Sequence, residues 1–386
     1  MISSLIENKY DFLWKSLIRP PRDLYKDKEL GREKFRMNNH NYKRTDFTLY
    51  NSRKLKLQCS FWEPYDEERI CPRLPVVIYL PGNSSSRCEA IPLLGFLLPM
   101  NISLFAFDFC GSGRSDGEFI SLGYYEKDDV LTVIDYLRNS NKVSTIGLWG
   151  RSMGAVTAIL CAKEFDYKYI ISCVVSDSAF SSLSQLIDEF VEKVVTLPQF
   201  LINMMKKNVG DIIEKKANFR IEKIEPIENL DKCKTIPILF CHGLDDSFIN
   251  NHHCNDLYKK YGGQKQIVLF EGEHNEKRPL HILQIISLFF YNHLKVENIV
   301  EISLAYDKKN KESLSTMASL YDEGENEINE LDEEMNIIEQ HQNNFTSQLN
   351  TLMNNLNILE DNINKDFDEL ENYIENEIEK ELISKQ

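Results

Sequence analysis

Six short runs of continuous apolar character punctuate the chain: residues 75–80 (PVVIYL), 102–109 (ISLFAFDF), 144–149 (STIGLW), 169–175 (YIISCVV), 236–241 (IPILFC) and 266–270 (QIVLF). None alternates apolar with polar positions, so each reads as a strand covered on both faces. Between them the apolar residues recur at helical period, which predicts helices over 125–138, 153–163, 252–261 and 279–294. Alternation of strand and helix predicts an α/β architecture, a mostly parallel central sheet flanked by helices. Residues 1–42 read as a mixed charged and aromatic lead-in, helical near 5–17 and broken at Pro20-Pro21. A strand-and-turn region follows from about Asp46, and the α/β domain is expected to run over 43–300.

Two stretches depart from this rhythm. Residues 181–228 lie between two predicted strands yet read as helical, with Leu186, Ile187, Phe190, Val191, Val194 and Val195, then Phe200, Leu201, Met204 and Met205. A long insertion in a compact domain is often functional, and this one reads as a helical lid over an apolar site. Helices packed on the sheet edge are the plainer alternative. The second departure is 328–386. Apolar residues repeat every seven positions, with Ile328, Met335, Leu349, Leu356, Ile363 and Leu370 at a, and Leu331, Ile338, Phe345, Leu352, Leu359 and Tyr373 at d. That period predicts a C-terminal coiled-coil helix, with Gln342 and Asp366 as polar interruptions. It points to self-association or to a helical partner. Residues 301–327 read as an acidic linker.

Charge sharpens the division. The formal charge is −15, but residues 301–386 hold six Lys/Arg against 22 Asp/Glu, leaving 39 basic and 38 acidic side chains in the first 300. A near-neutral body has no basic face for phosphate contacts, so nucleic acid is excluded as a partner. Nine cysteines, an odd number without a C-x-x-C pair, argue for free thiols and a reducing, cytoplasmic setting. Glu7, Lys9 and Asp11 stand where a signal peptide would need an apolar run, and Ile2 removes the myristoylation signal. The uncharged stretch 90–107 is interrupted by Pro92, Gly95, Pro99 and Asn101, so no transmembrane helix is expected there.

Chemistry concentrates at Gly150-Arg151-Ser152-Met153-Gly154. This G-x-S-x-G string follows a buried strand and opens an Ala-rich helix, the setting of a nucleophile elbow. A serine hydroxyl needs a histidine to take its proton and an acid to orient that histidine. Strand 236–241 ends in His242-Gly243-Leu244-Asp245-Asp246, and strand 266–270 ends in Glu271-Gly272-Glu273-His274-Asn275. Loops after the C-terminal ends of parallel strands are where such sheets build their sites. The expected set is therefore Ser152 as nucleophile, His274 as base and Asp246 as acid, with Asp245 and Asp177 as alternatives to Asp246. Backbone amides of Met153 and Asn83 are the expected oxyanion donors, the latter in the loop Pro81-Gly82-Asn83-Ser84. His252, His253, Cys254 and Asp256 are close in sequence, yet their spacing lacks a zinc pattern, so no metal is expected. Gly111-Ser112-Gly113-Arg114-Ser115-Asp116-Gly117 departs from G-x-G-x-x-G and opens no helix, and no phosphate-loop string occurs, so no nucleotide cofactor is expected.

Taken in order, YLPGNSSSR, FDFCGSGRSDGEFISLGYYEKDDV, IGLWGRSMGA, HGLDD and GEHN resemble the serine-aminopeptidase-type α/β hydrolases. Within that superfamily they are most similar to an uncharacterised protist and plant branch related to depalmitoylating α/β-hydrolase-domain proteins. The likeness covers about residues 40–295. It implies the α/β-hydrolase fold, the same Ser152, Asp246 and His274 set, and a 107–117 block packed beside the pocket. Pro81-Gly82 stands where the family has His-Gly. The expected activity is serine hydrolysis of a carboxylic ester or thioester through an acyl-enzyme, on an acyl-containing small molecule or an acylated protein. A serine peptidase of aminopeptidase type is the enzymatic alternative, and a scaffold acting through the coiled coil is the non-catalytic one.

Overall fold

The computed structural model describes residues 13–37, 39–165, 170–194 and 199–298. Nine strands form one sheet among them: β1 (Lys34–Met37), β2 (His40–Tyr50), β3 (Lys56–Pro64), β4 (Leu74–Leu80), β5 (Ser103–Phe107), β6 (Val143–Arg151), β7 (Cys173–Asp177), β8 (Ile238–Gly243) and β9 (Lys265–Phe270). Their order is β1-β2-β3-β5-β4-β6-β7-β8-β9. The pairings from β1 to β5 are antiparallel, and those from β5 to β9 are parallel. Helices of nine residues or more are α1 (Glu126–Asn139), α2 (Met153–Phe165), α3 (Leu183–Val194), α4 (Gln199–Ala217), α5 (His252–Lys260) and α6 (Leu280–His293).

The unalternating strands are explained by two cores. On one face Val76, Ile78 and Leu80 of β4, Ile146 and Leu148 of β6 and Val174 of β7 pack with α1, α2 and α5. On the other face Val77, Tyr79, Trp149, Cys173 and Val175 pack with α6 and the short helical turns after β4. Adjacent residues of one strand thus bury into opposite layers, which demands apolar side chains at every position. All six predicted parallel strands and all four predicted helices are present, with ends shifted by a few residues. The uncharged 90–107 stretch becomes short helical turns and then β5. No helix among the described residues is long and apolar enough to cross a membrane.

One boundary needs correction. The lead-in expected to end at residue 42 contains β1 and the start of β2, and Trp14 and Ile18 sit in the core. Lys34–Met37 and the first residues of β2 are half-exposed and charged, as edge strands are, so their sequence lacks the apolar signal of the central strands. The predicted coiled coil over 328–386 and the acidic linker over 301–327 lie outside the described residues.

The sheet order reverses around β4, which lies between β5 and β6, and chain from both sides enters the crevice at the strands' C-terminal ends. Phe105 anchors the antiparallel-to-parallel junction, fully buried and in ring contact with Phe47, Phe61, Phe107 and Tyr136. Phe105→Ala is expected to cost about 3–5 kcal/mol in urea-unfolding experiments, whereas Phe105→Leu should cost much less.

Candidate active site

Four connections at the C-terminal ends of β4, β6, β8 and β9 form the site. Ser152 stands between β6 and α2 with φ +53°, a left-handed backbone that non-glycine residues rarely hold. It is pinned by its own N–H donating to the Asp177 carbonyl at 2.8 Å and by its carbonyl accepting from Val156 N at 3.0 Å. The flanking glycines are dictated by space. A Cβ on Gly150 would overlap the Gly154 backbone, and one on Gly154 would overlap the Leu80 carbonyl oxygen at the end of β4. The turn is therefore clamped between its own helix and the neighbouring strand.

His274, from the loop after β9, brings Nε2 to 3.0 Å from Ser152 Oγ. Its Nδ1 lies 2.7 Å from Asp246 Oδ2. An ionised carboxylate only accepts, so Nδ1 carries the proton and Nε2 presents its lone pair to the serine hydroxyl. Asp246 is 4% exposed, and its Oδ1 accepts from the backbone amides of Phe248 and Ile249 at 3.0 and 2.7 Å. Burial works to raise its pKa, but hydrogen bonds from His242 and His274 outweigh that and hold the carboxyl well below the usual range. Burial pushes the His274 pKa below its ordinary value, with Arg151 and Arg278 adding to the effect against the pull of Asp246. The imidazole is therefore neutral at pH 7.

The other acids are engaged elsewhere. Asp245 is exposed and accepts from Gly272 N at 3.0 Å. Asp177 is buried and gripped by Arg278, with Nε at 2.8 Å and Nη2 at 2.9 Å. His242 Nε2 lies 2.7 Å from the Ile249 carbonyl and 3.2 Å from Asp246 Oδ2, bracing the acid's loop. Met153 is the first residue of α2. The loop bearing Asn83 lies against the elbow, since a Cβ on Gly82 would sit 3.7 Å from that of Ser152. No His side chain braces this loop where Pro81 stands. Instead Gly82 N donates to Glu89 Oε2 at 3.0 Å.

Sequence reasoning missed the guanidinium clamp on the His274 carbonyl. Arg151, the variable residue within the elbow string, pairs with Glu89 at 2.8 Å and donates to the His274 carbonyl at 3.0 Å. Arg278 Nη1 reaches the same carbonyl at 3.3 Å while holding Asp177. Arg151 is 62 and 123 residues from its two partners and Arg278 is 101 from Asp177, so spacing carried no signal for these contacts. Phe248 is also unforeseen. Its ring lies 5.2 Å from that of His274 and 6.1 Å from Phe190 on α3. Gly111–Gly117, the false dinucleotide string, wraps the buried Asp108 carboxylate, which accepts from Arg87 N, Arg114 N and Tyr25 Oη at 2.8, 2.9 and 2.7 Å.

Among solved structures, the Pyrococcus furiosus esterase Pf2001 superposes with a TM-score of 0.52 at 21% identity, covering 71% of this chain and 99% of the esterase. The fold is that of the α/β hydrolases. Residues 75–216 match the family model described as serine aminopeptidase, S33. The matched region contains Ser152, Met153 and Asn83, and ends before Asp246 and His274. The uncharacterized protein YqkD of Bacillus subtilis (strain 168) is 29% identical over 206 residues, 51% of this chain and 64% of YqkD. The chain thus spans less than two thirds of that relative's length. Human monoglyceride lipase is 30% identical over 118 residues, 30% of this chain and 37% of the lipase. The resemblance to serine-aminopeptidase-type α/β hydrolases read from the five sequence blocks is borne out.

Both the Asp246 and the His274 pKa are lowered by folding, so the unfolded chain binds more protons as the medium acidifies. The stability they contribute is fully present above the unfolded values and is lost as pH falls, first below about 6.5 for His274 and then below about 3.9 for Asp246. Urea midpoints measured from neutral pH downward should decline, and His274→Asn should lessen the decline that sets in below about pH 6.5.

Proposed function

We propose that the chain is a serine hydrolase that cleaves carboxylic esters or thioesters through an acyl-enzyme. The observation that carries this reading is the continuous hydrogen-bonded line from Ser152 Oγ through the His274 ring to Asp246, at 3.0 and 2.7 Å. In this reading Ser152 Oγ attacks the carbonyl carbon while His274 Nε2 takes its proton. Asp246 keeps the ring's tautomer and stabilises the imidazolium. The oxyanion is received by the amides of Met153, at the start of α2, and Asn83. Collapse breaks the C–O or C–S bond, and His274 returns the proton to the leaving alcohol or thiol. His274 then deprotonates a water that attacks the acyl carbon and releases the acid, restoring Ser152. The side chain of Ser152 is partly exposed, as a nucleophile must be.

An acyl chain is the substrate portion the surroundings favour. Phe248 beside His274 meets Phe190 of α3, and Leu186 and Ile187 of the same helix are partly buried against the core. In this reading α3 and α4 act as a lid over 181–228, and an acyl lipid or an S-acylated protein supplies the chain. Eight buried cysteines, none in a disulfide, accord with a reducing, cytoplasmic setting. A second reading, cleavage of peptide bonds, is favoured by one observation, the serine aminopeptidase description of the matched family.

Hydrolysis of oxygen esters and thioesters from acetyl to palmitoyl, beside amino-acid amides, tests both. Long-chain esters or thioesters should be turned over best, with Asp246→Asn reducing kcat about 10⁴-fold and Ser152→Ala about 10⁶-fold. Cleavage confined to amino-acid amides would replace the first reading by the second. The pH profile of kcat/KM should fall on the acid side with an apparent pKa below 6.5, since the base must be neutral and its pKa is lowered.

A further inference from the structure

Outside the Ser152 site, a second group of metal-ligating side chains converges where helix α3 meets the start of α5. Glu189 of α3 brings Oε1 to 2.9 Å from His252 Nε2 and Oε2 to 3.3 Å from His253 Nε2. The three donor atoms lie within 4.8 Å of one another. His253 is fully buried, and beyond this long approach to Glu189 its Nε2 has no hydrogen-bond partner.

The outer nitrogens and the carboxylate are also held. His253 Nδ1 lies 2.8 Å from Ser181 Oγ and accepts from Ser181 N at 3.3 Å. His252 Nδ1 is 3.5 Å from Asp256 Oδ2. Gln185 Nε2 and Asn250 Nδ2 donate to the two oxygens of Glu189 at 3.0 and 3.2 Å. A ligating histidine characteristically gives its other ring N–H to an oxygen, and ligating carboxylates are themselves hydrogen-bonded. His252 is 41% exposed on its side chain, which leaves a way in from solvent.

We propose that Glu189, His252 and His253 form a zinc-type divalent cation site that fastens helix α3 to the body. Two imidazoles and one carboxylate supply three of four tetrahedral positions, with water at the fourth. On binding, each neutral ring keeps its single proton on Nδ1 and gives the Nε2 lone pair to the cation; for His253 the proton moves from Nε2 to Nδ1, where Ser181 Oγ accepts it in place of the Ser181 N–H contact, and no net proton is released. The sequence expectation of no metal considered His252, His253, Cys254 and Asp256. The third ligand lies 63 positions upstream of His252, Cys254 stays outside the group, and Asp256 serves as an outer partner. Glu189 immediately precedes Phe190, so the cation would steady the aromatic contact that reaches His274 through Phe248. The proposal stands whether or not Ser152 is a nucleophile.

The test is calorimetric titration of Zn²⁺ into the chelator-stripped, untagged full chain at neutral pH, with X-ray absorption on the loaded protein. One Zn²⁺ per chain is expected, with nitrogen and oxygen ligands, no sulfur, and no comparable binding of Mg²⁺. Glu189→Gln and His252→Ala should each weaken binding at least about 100-fold, the upper end of what losing an outer partner costs. Cys71→Ser should leave it unchanged. Because His252 is partly exposed, its replacement keeps the fold, which circular dichroism of the metal-free variant checks. Absence of stoichiometric binding, sulfur ligation, or equal affinity in folded Glu189→Gln and His252→Ala overturns the proposal.

Discussion

The site depends on one steric constraint, the wedge of the Ser152 turn between strands β4 and β6. Gly154 lies so close to the Leu80 carbonyl, and Gly150 so close to Gly154, that neither position admits a side chain. The same contact presses the loop after β4 against the serine and leaves Ser152 in a left-handed conformation. Strain of that kind persists only where the surroundings over-determine it. Here they do so through the buried β6 strand, the buried first turn of α2 and the Asp177 carbonyl.

Around this turn two electrostatic chains set the imidazole. Asp246, His242 and the Phe248 and Ile249 amides fix the carboxylate that faces Nδ1. Behind the ring, two guanidinium groups converge on the His274 carbonyl, each anchored by a buried or half-buried carboxylate, Glu89 for Arg151 and Asp177 for Arg278. Glu89 also takes the Gly82 amide, so the loop after β4, the elbow and the histidine loop share one hydrogen-bond network. Burial of His274 itself, helped by the charges of Arg151 and Arg278, favours its neutral form, and the Asp246 contact opposes this. The balance gives a ring that is uncharged at rest yet able to hold a proton beside a carboxylate.

What the sequence made legible follows from how local each signal is. A strand buried on both faces announces itself by unbroken apolar residues, and residues 144–149 and 236–241 did so. The two glycines about Ser152 reported a steric demand, and the order of strand ends predicted which loops would meet. The charged edge strand Lys34–Met37 carried no such pattern because half of it faces solvent. The grip of Arg278 on Asp177 and the approach of Glu189 to His252 join distant segments through single side chains, and no period or spacing encodes them. The apolar spacing that predicts a lid marks α3 as amphipathic, but its meeting with Phe248 depends on tertiary placement alone.

The most direct measurement is treatment of the native chain with a fluorophosphonate, followed by peptide mapping of the adduct by mass spectrometry. The account predicts one adduct per chain, on Ser152, formed more slowly as the medium is acidified through the His274 pKa. A folded protein that stays unlabelled at neutral pH, or carries its label on another serine, would contradict it.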